Sequence, residues 1–88
     1  MPISSPKHAQ HPVLLALGAA IRRSRLERGI SQEELGFLAD IHATYVGKLE
    51  RGEKSPTLGV IRKIAKALGM SGSELMRLAE ESMPSEIR

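Results

Sequence analysis

Cysteine and tryptophan are absent from this 88-residue chain, and phenylalanine and tyrosine occur once each. Without cysteine there is no disulfide, no thiolate metal site and no thiol chemistry. That suits a cytoplasmic protein. With so few rings the core must be aliphatic, and the stacking platforms that hold single-stranded nucleic acid are missing. A long apolar run is missing too. Val13 to Ile21 is apolar throughout, but it is too short to span a membrane. Lys7 before it and Arg22–Arg23 after it imitate a secretory leader, yet the helical pattern continues to Arg28, so it reads as a helix. The parts of an enzyme are absent as well: there is no nucleophile–base constellation, phosphate-cradling loop or metal cluster. Glu33 and Glu34 read as first-turn helix residues, not as a catalytic pair. His8 and His11 lack a third ligand and read as solvated. Neither catalysis, a metal nor a cofactor is expected.

What is present fits one small domain. The net charge of +3 is mild but unevenly placed. Arg22, Arg23, Arg25 and Arg28 form one group, Lys48, Arg51 and Lys54 a second, and Arg62, Lys63 and Lys66 a third. A basic face suits a polyanion. Any one cluster alone reads as a solvated helix surface, as do Arg22, Arg23 and Arg28 in particular.

The chain organises as an all-α, five-helix domain. Residues 1–12 hold three prolines and read as a flexible arm. The first helix runs from about Val13 to Arg28, with Leu14, Leu17, Ile21 and Arg25 on one stripe. Gly29 suits a left-handed cap. Ser31 with Glu34 three residues later is a capping box that opens the second helix, which ends near Ala39. The third runs from about His42 to Arg51 and stops at Gly52. The fourth begins at Thr57, carries Leu58, Ile61, Ile64, Ala65 and Leu68 at helical spacing, and stops at Gly69. The fifth is capped by Ser71 or Ser73, with Leu75 and Leu78 on its apolar side. The domain is expected over 13–80, with a frayed tail over 81–88.

Helices two and three are separated only by Asp40 and Ile41, which forces a sharp angle. Asp40 is the candidate for positive φ, since Asp tolerates that region better than most residues. Ile41 should then point inward, with Leu35, Leu38, Val46 and Leu49 closing the core and Gly36 at the closest approach. The outer residues of helix three, His42, Ala43, Thr44, Gly47 and Lys48, are mostly short. A recognition helix presents such residues to base edges in the major groove. Thr44 offers a hydroxyl or a methyl, Ala43 an apolar contact to thymine, and Lys48 reaches guanine or a phosphate. The same residues also describe the exposed side of any small helix, and on the helix pair alone the two readings are level.

A wider pattern decides between them. Ser31-Gln32-Glu33-Glu34-Leu35, Thr44-Tyr45-Val46, Leu49-Glu50-Arg51-Gly52, Ser55-Pro56-Thr57-Leu58 and Ile64-Ala65-Lys66-Ala67-Leu68-Gly69 together resemble the phage-repressor/Cro-type helix-turn-helix family. The likeness extends over about residues 14–79. The run His42-Ala43-Thr44-Tyr45-Val46 is similar to controller proteins of restriction–modification systems, which bind palindromic operators as dimers. The resemblance implies a sequence-specific regulator of transcription that binds double-stranded DNA as a homodimer. Ala43, Thr44, Gly47 and Lys48 would face bases. Gln32, His42, Tyr45, Arg51, Lys54 and Ser55 would hold the backbone, with packing as the alternative role for Tyr45. Arg25 and Glu50 match the family's internal ion pair. Arg25 also lies on the apolar stripe of helix one, as that pair requires.

Met70, Leu75, Met76 and Leu78, on helix five and its approach, are expected at the dimer interface. RNA polymerase is a further expected partner. With no effector domain after helix five, control should follow concentration through the monomer–dimer equilibrium. An antitoxin that binds a toxin and autoregulates its operon, or a phage-type repressor, is the alternative. Controller-like proteins commonly carry arginine at position 43 and a polar residue at 47. Ala43 and Gly47 therefore imply either readout through DNA shape or a thymine-rich operator. Asp40, where glycine is usual, should cost some stability.

Overall fold

The computed structural model describes residues 11–84, which form five helices and, among those residues, no strand. They are α1 (Pro12–Glu27), α2 (Gln32–Ala39), α3 (Ala43–Glu50), α4 (Leu58–Ala67) and α5 (Gly72–Glu81). His8, the rest of the expected arm before His11, and residues 85–88 lie outside the described residues.

Each helix starts where its capping chemistry dictates. Pro12 supplies the fixed φ of a first helical residue, and exposed His11 caps α1 by accepting from the Val13 amide at 3.2 Å. The capping box of α2 is complete: Glu34 N–H donates to Ser31 Oγ at 2.9 Å, and Ser31 N–H donates to Glu34 Oε1 at 2.7 Å. Thr57 caps α4, and of the two serines it is Ser71 that caps α5. Arg28, expected on a solvated face, donates from Nη1 to the Leu68 carbonyl at 3.1 Å. It thereby satisfies one of the orphan acceptors at the C-terminal end of α4.

The core is aliphatic. Ile21, Leu35, Leu49, Ile64, Leu75 and Val46 are its largest fully buried side chains, each contributing about 1.5–3 kcal/mol from the area removed from water. α1 packs on α3 and α5, α2 on α3 and α4, and α4 on α5. Two close approaches position α3. A side chain at Gly36 would put its Cβ 2.7 Å from the Ile41 carbonyl oxygen. One at Gly18 would collide with the Leu49 carbonyl oxygen and lie 2.6 Å from that of Glu50. Between α2 and α3, Asp40 holds the left-handed conformation at φ 59°, ψ 47°, and Ile41 is half-buried against the core.

Three expectations need correction. Leu38 does not close the core; it is 57% exposed. The inward face of α2 is set by Leu35, Gly36 and Ala39. At about 100° per residue, that leaves Leu38 and Phe37 turned outward. Leu75 is not available to a dimer partner. It is wholly buried, with Ala79 one turn later, on the inner stripe of α5. The tail does not fray from residue 81: α5 includes Glu81, and Met83 is buried in the core. Its flexible thioether side chain suits such a gap.

Candidate nucleic-acid interface

The inner end of α3 is held by one buried hydrogen-bond network. Arg25 donates from Nε to Glu50 Oε2 at 2.6 Å and from Nη2 to Glu50 Oε1 at 3.0 Å. Its Nη1 donates to the Ile30 carbonyl at 2.9 Å. Gln32 Nε2 donates to the same Glu50 Oε1 at 3.0 Å. Hydrogen bonding to Glu50 raises the Arg25 pKa above its ordinary value, against the effect of burial. Four segments are thus tied together: α1 through Arg25, the loop before α2 through Ile30, α2 through Gln32 and α3 through Glu50. No buried side-chain nitrogen or oxygen among the described residues is left without a partner. The network fixes the angle at which α3 leaves the domain.

The opposite side of α3 is open. His42 is its N-cap residue and makes no side-chain capping bond, and Thr44 is exposed. Lys48 follows Thr44 by four residues, hence on the same face one turn on, and is half-buried. Ala43 is half-buried, with its backbone against Gly36. Tyr45 is half-buried and packs against the core. Gly47 is different from the expectation. It is buried, and a Cβ there would lie 3.2 Å from Arg51 Nη1 and 3.5 Å from Gln32 Oε1. It is therefore roofed by Gln32 and Arg51 rather than presented to a ligand. Its lack of a side chain makes room for those two.

Gln32 has a double position. One amide hydrogen is committed to Glu50, and its backbone sits at the first residue of α2. Amides there have no partner within the helix and carry the positive end of its dipole. Past α3, Arg51, Lys54 and Ser55 are all exposed. Sequence reasoning missed Glu53. Arg51 donates to it from Nε at 2.9 Å and from Nη2 at 3.3 Å. The hydrogen bond from Arg51 holds the Glu53 carboxyl below the usual carboxylate range, helped by the charges of Arg51, Lys48 and Lys54. The signal was present in the sequence: Gly52 makes a turn, which lets residues two apart meet. On α5 and its approach, Met70, Met76 and Leu78 are half-buried.

No group of three potential metal ligands occurs among the described residues. Nor is any described helix long and apolar enough to cross a membrane.

Comparison with known proteins agrees with this geometry. The helix-turn-helix family profile matches residues 21–75. Control protein C.BamHI of Bacillus amyloliquefaciens is 40% identical over 65 residues, covering 73% of this chain and 80% of that one. Control protein C.SmaI of Serratia marcescens is 37% identical over 60 residues, covering 68% and 71%. Among solved structures, the restriction-modification controller protein C.AhdI of Aeromonas hydrophila superposes with a TM-score of 0.72 at 38% identity, covering 74% of this chain and 98% of that one. These relatives are regulators rather than enzymes. The chain belongs to the helix-turn-helix family of DNA-binding transcriptional regulators, and restriction–modification controller proteins are among its homologues.

Proposed function

We propose that this protein acts as a controller-type regulator, binding a palindromic operator as a cytoplasmic homodimer with α3 in the major groove. The observation that carries the reading is the division of α3. Its inner side is locked by Arg25, Glu50 and Gln32, while its outer side presents Thr44 and Lys48. A helix fixed on one side and open on the other is what base readout requires. Thr44 and Lys48 are the readers, with Ala43 beside them offering a methyl to thymine. His42, Arg51, Lys54, Ser55 and the N-terminal amides of α2 at Gln32 hold the phosphates. Tyr45 serves mainly as packing. Gly47 acts by giving space to Gln32 and Arg51.

A single short helix reads few base pairs, so two-fold pairing supplies the specificity. Met70, Met76 and Leu78 are the apolar residues of α5 and its approach that remain partly open for a second copy. The controller assignment over a phage repressor is supported by the two control proteins at 40% and 37% identity. The test is a gel shift and footprint on the DNA upstream of this protein's own gene. A competitor-resistant complex with two-fold footprint symmetry is the expected result. Salt-sensitive smearing, equal on any duplex, would overturn the operator-binding reading.

A further inference from the structure

Among Lys48, Arg51 and Lys54 lies an acidic residue, Glu53, and it is not idle. Glu53 accepts from Arg51 Nε at 2.9 Å and Nη2 at 3.3 Å. This is the forked, two-bond geometry with which a guanidinium also grips a phosphate. Two further cations, Lys48 and Lys54, lie close enough to act on the same carboxylate. An anion held by an arginine fork, with lysines around it, on the open side of a DNA-binding helix, marks a place where a phosphate fits. Both partners are exposed, so water and salt already compete for the contact, and it parts easily.

We propose that Glu53 stands, in the free protein, where a DNA backbone phosphate stands on Arg51 in the complex, so that the duplex must displace this carboxylate to bind. The proposal rests on the DNA-binding reading above and adds an internal competitor to it. Glu53 is a positioning residue, because it acts through Arg51. In the free protein it holds the fork in the shape a phosphate needs. In the complex it is set loose beside the phosphates and takes up a counterion of its own. Its effect falls on duplexes of any sequence, because phosphates carry no sequence information.

Fluorescence anisotropy with a random-sequence duplex of about 20 base pairs tests this without knowledge of the operator. Glu53→Gln keeps the size of the side chain and removes its charge. It should tighten binding severalfold and steepen the plot of log K against log salt by about one phosphate's worth, ~0.9. Its advantage over wild type should therefore shrink by about threefold between 50 and 200 mM salt. The decisive comparison is the same substitution in an Arg51→Ala background. If Glu53 acts through Arg51, Glu53→Gln has little effect there. Equal tightening in both backgrounds would mean that Glu53 is only a general negative charge, and the proposal is lost. No change in affinity or slope in the wild-type background overturns it as well. The DNA-binding reading fails separately, if wild type itself shows no salt-dependent binding to any duplex. Circular dichroism should show both variants as helical as wild type, since neither side chain is part of the core.

Discussion

Two arginine–glutamate pairs meet at the C-terminal end of α3, built from the same atoms in the same forked geometry. In Arg25–Glu50 the side chains are 7% and 2% exposed; in Arg51–Glu53 they are 57% and 43% exposed. The first carboxylate also accepts from Gln32, and the first guanidinium also serves the Ile30 carbonyl. The second pair has no such further partners among its hydrogen bonds. Burial, and the further partners that come with it, therefore separate a structural clamp from a replaceable contact. Inside, removing one partner strands a charge in a low-dielectric site, which is costly whatever the pair itself is worth. Outside, water takes the place of a missing partner, and so does any other anion. Fixed and exchangeable chemistry lie within four residues of each other, Glu50 to Glu53, which is what a protein needs to hold a helix rigidly and still exchange ligands on its far side.

The comparison breaks most visibly at Glu50. Glu50→Ala should cost about 3–5 kcal/mol of stability, measured by urea denaturation, because Arg25 is left buried without its counter-charge. Glu50→Gln retains hydrogen-bonding capacity and should lose less. A cost below about 1 kcal/mol for the alanine variant would mean that the network is dispensable and α3 is held by apolar packing alone. Lys48→Ala comes next. It should leave the fold intact and cost about 1–3 kcal/mol of discrimination at a single base pair if Lys48 reads guanine. Competition with operators substituted one position at a time would locate that pair. A uniform loss across all of them would move Lys48 from reader to clamp. Arg51→Ala should weaken binding to every sequence alike, and in a Glu53→Gln background, where no displaced carboxylate offsets the phosphate contact, it should flatten the salt dependence by about one unit, while urea denaturation of Arg51→Ala stays as in wild type. A large loss of stability would contradict the assignment of this pair to the surface.

The same contrast explains what could be read from the sequence. Ser31 and Glu34 carry their own local geometry, so the box that opens α2 was legible, as was the positive φ of Asp40 from a two-residue link. The Arg25–Glu50 pair followed from family likeness together with the place of Arg25 on an apolar stripe. What failed depended on which way a short helix faces. In the eight residues of α2, Leu38 looks as apolar as Leu35, and it is the burial of Gly36, close against Ile41, together with Leu35 and Ala39 that turns it outward. On α5, Leu75 and Leu78 read as one stripe, but on a helix packed against α1 and α4 the first is wholly buried and the second only half so. Gly47 read as an empty base-facing position because its neighbours in space, Gln32 and Arg51, arrive from other turns. Glu53 went unnoticed because a surface charge gains meaning only from what it touches.

The smallest effect is the sharpest check on the exposed pair. Arg51 hydrogen-bonds the Glu53 carboxylate and lowers its pKa, with the charges of Arg51, Lys48 and Lys54 acting in the same direction. A carboxyl depressed on folding contributes stability that is fully present above its unfolded value, about 4.3. That contribution is lost as pH falls through the lower folded value. Between pH 6 and 8 this group therefore gives no pH dependence to folding or to DNA binding. Only in acid does its protonation release Arg51. A side-chain NMR titration of Glu53 should show it ionising below the ordinary range in wild type and moving back up toward that range in Arg51→Ala. Lys48 and Lys54 remain in that variant, so part of the depression should survive. If Glu53 titrates identically in the two proteins, the fork is not formed in solution, and Arg25–Glu50 stands as the only real pair of the two.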